Sequence, residues 1–462
     1  MKKSVWIIFA ICFGMLFMLF GHADMYSIIT YEVNFWNALV DRGITGFYDY
    51  CYEFAQSGAA AIACYDFIVY IVLGIWGLPL FGLSKVTGIN PWDNLLMIFY
   101  GKAIYLLAFA VASYYLYKIC IKFQLSKKEA EQAVFAFASS ALVLIAVCLV
   151  GQSDILGIAI VLIAFYYYLD DARWRALLFF ALAFGFKSYA VVVFVPLLLL
   201  KEKNVFKILS NMFIIVLPTM ILNLPFSGVG FEAKSHFQFG MISELLRYRV
   251  SIMNGNVPIL VMLYGILCVI CYLYKDDGDS TGVNRWSLIV AFVSMVILFA
   301  SFKSTVYWLV WIVPWVVLCV FICADDRRVA FLFETIGMLC LSVAYVVKAA
   351  ETGYCLPSSK WLAAFGFDCS RATGIYQGLI SSVDAATEHR LDWILGCGEA
   401  LYLACVVGIL ILCIRNIWVK KNSQYKVNII GGEQIRTIDL IGRFTLNMAC
   451  AFIPLLFILI FG

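Results

Sequence analysis

The sequence is poor in charged residues, and this shortage excludes whole classes of protein. Only 13% of the 462 residues are charged, whereas a soluble domain carries about a quarter. The apolar share is 64% and the mean hydropathy is +0.94. One hydrophobic core cannot absorb that much apolar surface, so lipid must solvate most of the chain. A soluble enzyme, a disordered chain and a disulfide-stapled secreted module are therefore excluded.

The sequence also lacks the common motifs that bind cofactors or provide a nucleophile. It contains no phosphate-binding glycine loop, no dinucleotide fingerprint and no G-x-S-x-G elbow. Its three histidines have no spacing typical of a metal site. We therefore expect no metal site and no cofactor, with a bound divalent cation as the open alternative. The net charge of +4 is too small and too dispersed to indicate nucleic acid.

Long apolar runs predict an all-α polytopic membrane protein of about 11–13 transmembrane helices. The runs are continuous and do not alternate, which excludes a membrane β-barrel. Two further stretches are ambiguous, because 66–82 contains glycines and a proline and 176–200 contains Lys187 at its centre. The clear runs are 4–20, 98–117, 131–149, 155–169, 205–224, 257–274, 286–302, 306–323, 329–348, 396–414 and 444–461.

The distribution of lysine and arginine predicts the topology. If 66–82 does not cross and 176–200 is a hairpin with Lys187 at its outer tip, 21 of the 33 basic residues are cytoplasmic. If 66–82 crosses, which is left open, only 13 are cytoplasmic. The positive-inside rule favours the first arrangement, with a cytoplasmic N-terminus in the cell membrane.

This topology divides the chain into a module, a linker and a last helix. Residues 1–414 are expected to form the transmembrane module, with external amphipathic helices in three outer loops. Residues 415–443 are expected to be a cytoplasmic linker, and 444–462 a terminal transmembrane helix. The outer loops are 21–97, 225–256 and 349–395.

Asp24 is the first candidate for chemistry. It follows the first span by four residues and precedes an amphipathic helical pattern over 26–39, which is typical of a helix at the membrane interface. A partly desolvated carboxylate at that border can act as a general base. Aspartate is also a frequent helix N-cap, and both roles stay open.

Three more candidates follow in the chain. Gln152 and Asp154 lie between two spans, where they can bind sugar hydroxyls, or Asp154 can assist the base. The alternative is ordinary helix capping. Lys187 interrupts an apolar stretch, and an unpaired ammonium in lipid costs roughly 2.5–3.5 kcal/mol. It should therefore face a polar cavity that binds substrate, or form a structural ion pair.

Basic side chains in the later outer segments are candidates for binding an anionic leaving group. Arg247 and Arg249 suit phosphate oxygens, although arginines at a membrane surface also contact lipid headgroups. Lys303 is a third such candidate, and Tyr307, at the start of a span, is a further candidate for binding substrate.

These residues resemble the multispanning glycosyltransferases of the GT-C superfamily, and most nearly the bacterial relatives of the GPI-anchor mannosyltransferases. Order and spacing agree over 20–320. One difference is that such proteins often carry Tyr-Pro-Pro after the first loop, where this chain has Ala-Cys-Tyr-Asp-Phe at 63–67. The matching pieces are 24–26 with Trp36 and 43–49, then 151–154 with 185–187 and 196–198, then Tyr-Trp-Leu-Val-Trp-Ile-Val-Pro at 307–314.

The resemblance implies a GT-C-like fold and an inverting transfer on the extracytoplasmic face. A sugar, mannose or another hexose or pentose, would pass from a polyprenyl-phosphate donor to a hydroxyl of a glycan or glycolipid. Asp24 would deprotonate that hydroxyl. A flippase for lipid-linked sugars, or a polysaccharide polymerase or ligase, are the alternatives; border placement of the ionisable residues weighs against the flippase.

Overall fold

The computed structural model describes residues 2–58, 61–252, 255–275, 280–302, 305–324, 326–351, 360–422 and 435–462. Across these ranges the chain forms twenty α-helices and one antiparallel β-hairpin, which confirms the all-α prediction. The hairpin pairs β1 (Arg249–Ile252) with β2 (Gly255–Pro258). The helices are α1 (Lys3–Leu19), α2 (Ala23–Arg42), α3 (Phe47–Gln56), α4 (Phe67–Thr87), α5 (Leu95–Lys122), α6 (Lys127–Ala138), α7 (Ala141–Leu144), α8 (Asp154–Leu169), α9 (Arg173–Phe186), α10 (Tyr189–Lys201), α11 (Val205–Asn223), α12 (Val229–Leu245), α13 (Ile259–Leu273), α14 (Ser280–Ala300), α15 (Val313–Ile322), α16 (Arg327–Glu351), α17 (Lys360–Ala364), α18 (Cys369–Ala386), α19 (Leu391–Asn422) and α20 (Thr437–Phe461).

Fewer helices are long enough to cross a membrane than the apolar runs predict. Of the described helices, α4, α5, α11, α19 and α20 are long and apolar enough by themselves. Two bent pairs, α1 with α2 and α6 with α7, raise the number to seven if each counts as one span. Other apolar runs form helices of 10–17 residues, and sixteen residues reach only about 24 Å. The helices support a polytopic membrane protein.

The contacts of α5 define two ends of the helix bundle. Near the start of α5, Lys102 Nζ donates hydrogen bonds of 2.6–2.8 Å to the carbonyls of Phe17, Phe20 and Cys148. At the end of α5, Lys122 pairs with Asp170, which follows α8. We call the end marked by Phe20 and Lys102 the upper end, and the opposite one the lower end. α1 therefore ends, and α5 begins, at the upper end.

The ambiguous stretch 66–82 lies within the single helix α4. Its glycines and Pro79 do not interrupt the helix, and its length and composition would allow a crossing. The Trp76 ring stacks on Tyr100 near the start of α5, with centroids 5.0 Å apart. Because α1 ends and α5 begins at the upper end, the chain between them returns to the side that it left. The expectation that 66–82 does not cross stays a prediction of the charge count.

The expected linker 415–443 is partly helical. α19 runs on to Asn422 and α20 begins at Thr437. Arg443, expected in a polar linker, is 1% exposed within α20 and pairs with Glu334 of α16. A buried guanidinium needs such a carboxylate partner, and the sequence did not reveal one. Residues 423–434 lie outside the described ranges.

The centre of the bundle is formed by α15, α8 and a π-helical segment, Ile145–Val150. All residues of α15 and of the π-helical segment are buried, as are most of α8. The π-helical segment ends at Gly151 and α8 begins at Asp154. A short 3₁₀ helix, Val306–Trp311, leads into α15. These packed elements carry several of the predicted site residues.

A candidate active site at the upper end of the bundle

Asp24 lies in the first turn of α2, directly after the 75° bend that separates α1 from α2. His22 is the residue that caps this helix, because its Nδ1 accepts the Asp24 backbone N–H at 3.1 Å. The Asp24 carboxylate is therefore not used for N-capping, and 43% of the side chain is exposed.

His22 is a neutral neighbour of this carboxylate. Burial lowers the pKa of His22 below its ordinary value, and the negative charge of Asp24 opposes only part of that shift. Because Nδ1 accepts a backbone N–H, the neutral ring carries its proton on Nε2. The imidazole thus orients the Asp24 backbone without adding positive charge to the site.

Gln152 reaches Asp24 from the other side of the upper end. Its side-chain amide donates a hydrogen bond to Asp24 Oδ2, and the residue is 4% exposed. Gly151 supplies the sharp turn that aims it, with a left-handed φ of 66° that few other residues adopt. A Cβ at Gly151 would also come within 3.1 Å of Met25.

Tyr307 is the third residue that contacts the Asp24 carboxylate. Its hydroxyl lies 3.5 Å from Asp24 Oδ2, and its ring meets the His22 ring edge-on at 6.3 Å. Residues 24, 152 and 307 are thus brought together from three distant parts of the chain. The amide and the hydroxyl both orient one carboxylate oxygen.

Asp154 and Lys187 form a second part of the site. Lys187 Nζ lies 3.5 Å from Asp154 Oδ1, and the two side chains are 17% and 0% exposed. The same oxygen accepts the Trp311 indole N–H at 2.7 Å. The backbone of Lys187 is extended between α9 and α10, as expected for the tip of a hairpin. The structure therefore contains the ion pair that was the alternative expectation for Lys187.

Three aromatic rings surround the Lys187 ammonium. Its Nζ is 5.2 Å from the ring centroid of Tyr65, 5.6 Å from that of Tyr189 and 5.4 Å from that of Trp308. Each distance is within the range of a cation–π interaction. We call these three rings the aromatic cage. Tyr65 also lies near Ser153, which directly follows Gln152.

The remaining predicted anion-binding residues do not join this cluster. Arg247 is exposed and pairs with Glu244 at 3.1 Å. Arg249 is exposed on β1 and donates to the Leu246 carbonyl. Their contacts keep them at the hairpin, which leaves the lipid-headgroup alternative for these two arginines in place. Lys303 lies outside the described residues.

Sequence reasoning missed the aromatic cage and Trp311 as site residues. Trp308 and Trp311 belong to a segment that carried the family resemblance, but nothing in their spacing indicated a lysine or a carboxylate as neighbour. Tyr65 and Tyr189 each lie next to the start of a helix and look like ordinary interfacial aromatics.

Among the described residues, no three His, Cys, Asp or Glu side chains gather as a metal site requires.

The arrangement offers two carboxylates in opposite surroundings and one enclosed cation. Asp24 is half-exposed and is oriented by neutral donors, so it can accept a proton from a bound hydroxyl. Asp154 is fully buried beside an ammonium. The Lys187 side chain keeps a small exposed surface. No protein-family model matches the chain, and a search of the curated proteins finds no match.

Proposed function

We propose that this chain is an integral membrane glycosyltransferase with a GT-C-like fold. It transfers a sugar, mannose or another hexose or pentose, from a polyprenyl-phosphate donor to a hydroxyl of a glycan or glycolipid acceptor. The reaction takes place on the extracytoplasmic face of the cell membrane and inverts the anomeric carbon. The observation that carries the proposal is the half-exposed Asp24 carboxylate, oriented by Gln152 and Tyr307, at the same end as the caged Lys187 ammonium.

Asp24 and Lys187 account for the proton and the negative charge that the transfer reaction moves. The acceptor hydroxyl oxygen forms a bond to the anomeric carbon while its proton passes to Asp24. The bond between that carbon and the donor phosphate oxygen breaks, and the electron pair leaves with the phosphate. Lys187 compensates the charge that grows on this leaving group. Asp24 then releases its proton to water, which its exposure allows.

A flippase for lipid-linked sugars is the second candidate, and one observation favours it. Glu32 of α2 is fully buried, and within the described ranges neither of its carboxylate oxygens has a hydrogen-bond partner. Ionisable groups buried in membrane proteins often mark transport paths. Lys102, also buried, is satisfied by three carbonyls and needs no transport role.

Replacement of the base tests the proposal. In a strain that lacks the gene, mass analysis of cell-surface glycans should reveal the missing sugar, and the wild-type gene should restore it. Asp24→Asn keeps the size of the side chain but cannot accept the proton, so transfer should fall by about 10²–10⁴-fold. The matched control is Asp41→Asn, an exposed position on the same helix, which should restore the glycan fully.

Two outcomes would contradict the proposal. Full restoration by Asp24→Asn would remove this carboxylate from the reaction. Export of a preassembled lipid-linked sugar, with no new glycosidic bond formed by the purified protein, would favour the flippase.

A further inference from the structure

Asp154 and Lys187 form an ion pair whose two members have different access to the site. Asp154 is fully buried at the start of α8, while Lys187 keeps 17% of its side chain exposed. Their closest atoms are 3.5 Å apart, longer than the usual 2.7–2.9 Å of a charge-assisted hydrogen bond. Its other neighbours include the rings of the aromatic cage and the Cys64 thiol, none of which is a strong hydrogen-bond acceptor. The ammonium therefore keeps N–H donors for a further partner.

The Asp154 carboxylate is enclosed by protein. The carboxylate has no exposed surface, and its Oδ1 is occupied by the Trp311 indole N–H at 2.7 Å as well as by Lys187. Trp311 is itself 1% exposed. Asp154 thus presents a fixed negative charge to the inner side of Lys187.

We propose that Asp154 is a positioning residue, held by Trp311, which keeps the Lys187 ammonium inside the aromatic cage with its free N–H groups directed at the phosphate of a polyprenyl-phosphate ligand. This inference rests on the proposed function and revises the expectation that Asp154 assists the base. The carboxylate and the rings compensate the desolvation of the ammonium, and a phosphate oxygen provides the stronger hydrogen-bond acceptor that the cage lacks.

Direct binding of a lipid phosphate tests this role without any transfer reaction. The ligand is a short-chain polyprenyl monophosphate, and the matching polyprenyl alcohol is the uncharged control. Detergent-purified wild-type protein should bind the phosphate at least about ten-fold more tightly than the alcohol, as expected for one charge-assisted contact. Equal binding of the two lipids by the wild type would overturn the phosphate assignment.

Asp154→Asn retains an oxygen for the Trp311 N–H but removes the charge behind Lys187. It should weaken phosphate binding by about ten-fold, which is 1.4 kcal/mol, and leave alcohol binding unchanged. In transfer assays the KM for the donor should rise, and kcat should fall as well, because Lys187 also compensates the charge that grows on the leaving phosphate. A large loss of kcat with unchanged phosphate binding would instead make Asp154 a participant in the chemistry.

A double-mutant cycle separates positioning from general damage to the fold. If Asp154 acts through Lys187, adding Asp154→Asn to Lys187→Met should cause no further loss of phosphate binding. Additive losses would contradict the inference. If Lys187→Met does not fold, Trp311→Phe is the second variant: it removes the N–H that holds Asp154 and should weaken phosphate binding by about three-fold. No change in Trp311→Phe would then count against the inference.

The two proposals fail in different ways. If Asp24→Asn restores the surface glycan while Asp154→Asn still weakens phosphate binding, the transferase proposal is wrong and the lipid-phosphate site stands. If Asp24→Asn abolishes the glycan and phosphate binding does not depend on Asp154, only this inference is wrong.

Discussion

At the scale of single residues, the environment of each ionisable group decides what it can do. Asp24 and Asp154 have the same side chain, yet one is half-exposed among neutral donors and the other is buried beside an ammonium. Carboxylates in such contrasting surroundings take different roles. A neutral His22 fits this division, because it caps α2 through Nδ1 without competing for the charge of Asp24.

The lowered pKa of His22 predicts a loss of stability in mild acid. Between that lowered pKa and the ordinary value of 6.5, the unfolded chain binds a proton that the folded chain does not. Folding is therefore favoured above about pH 6.5 and is progressively disfavoured as the pH falls below it. His22→Asn keeps a capping oxygen but does not titrate in this range.

Melting temperatures at pH 7.5 and pH 5.5 measure this effect. The wild-type protein should lose more stability between the two pH values than His22→Asn. His236→Asn, at an exposed position of α12, should behave as the wild type does. An equal loss in wild type and His22→Asn would show that protonation of His22 does not contribute.

At the scale of elements, close backbone approaches fix the helices that surround the site. α12 packs on α3 at Gly230, where a Cβ would lie 2.2 Å from the Tyr48 carbonyl oxygen. The Gly230 N–H donates to Asp49 at 2.7 Å, and Lys234 of the same helix pairs with Asp66 at 2.6 Å. Asp66 directly follows Tyr65 of the aromatic cage. The docking of α12 therefore supports the loop that carries this ring.

Gly230→Ala should loosen α12 at this contact. The added methyl group meets backbone atoms, which cannot give way as a flexible side chain can, so we expect a loss of about 1–3 kcal/mol. Gly240→Ala is the matched control on the same helix, because nothing lies within 4 Å of its Cβ position. That variant should be neutral or more stable by up to about 1 kcal/mol.

Thermal unfolding and limited proteolysis of α12 would compare the two alanine variants. Equal stability of both would mean that α12 is not held against α3 by this contact. Faster cleavage in Gly230→Ala alone would support the packing described here.

Some elements could be predicted from sequence and others could not, for identifiable reasons. The helical pattern over 26–39 predicted the helix that is α2, and a charged residue in an apolar stretch predicted the break at Lys187. The run 131–149 predicted one span, but the chain bends by 55° between α6 and α7 and continues as a π-helix. Apolar periodicity does not distinguish these helical forms, because burial on all sides leaves no polar face to mark the turn.

At the scale of the whole molecule, the site depends on contacts that no local pattern contains. The aromatic cage combines Tyr65, Tyr189 and Trp308, separated by more than a hundred residues at each step. The position of Asp24, Gln152 and Lys187 at breaks between helices was readable from sequence, because charge and glycine interrupt apolar runs there. Their distances, and the separation of Asp24 from the arginines of the hairpin, follow only from the packing of the bundle.

The orientation of the bundle in the membrane is a prediction of charge counting, and it decides where the chemistry takes place. The lower end carries Lys128 at the start of α6, and the upper end carries Gln56 at the end of α3; both are exposed. Lys128→Cys in intact cells should resist a membrane-impermeant maleimide until the membrane is permeabilised. Gln56→Cys should react at once, because the positive-inside rule puts the upper end outside.

Labelling of the wild-type protein is the background to subtract, because the native Cys397 is exposed and can also react with the maleimide. Lys128 is preferable to Ser126, whose hydroxyl caps α6 and whose loss would cost about 1 kcal/mol. The reverse pattern, with Lys128→Cys labelled in intact cells and Gln56→Cys protected, would put Asp24 and Lys187 in the cytoplasm. The donor would then have to present its sugar on the cytoplasmic leaflet, and transfer on the extracytoplasmic face would be excluded.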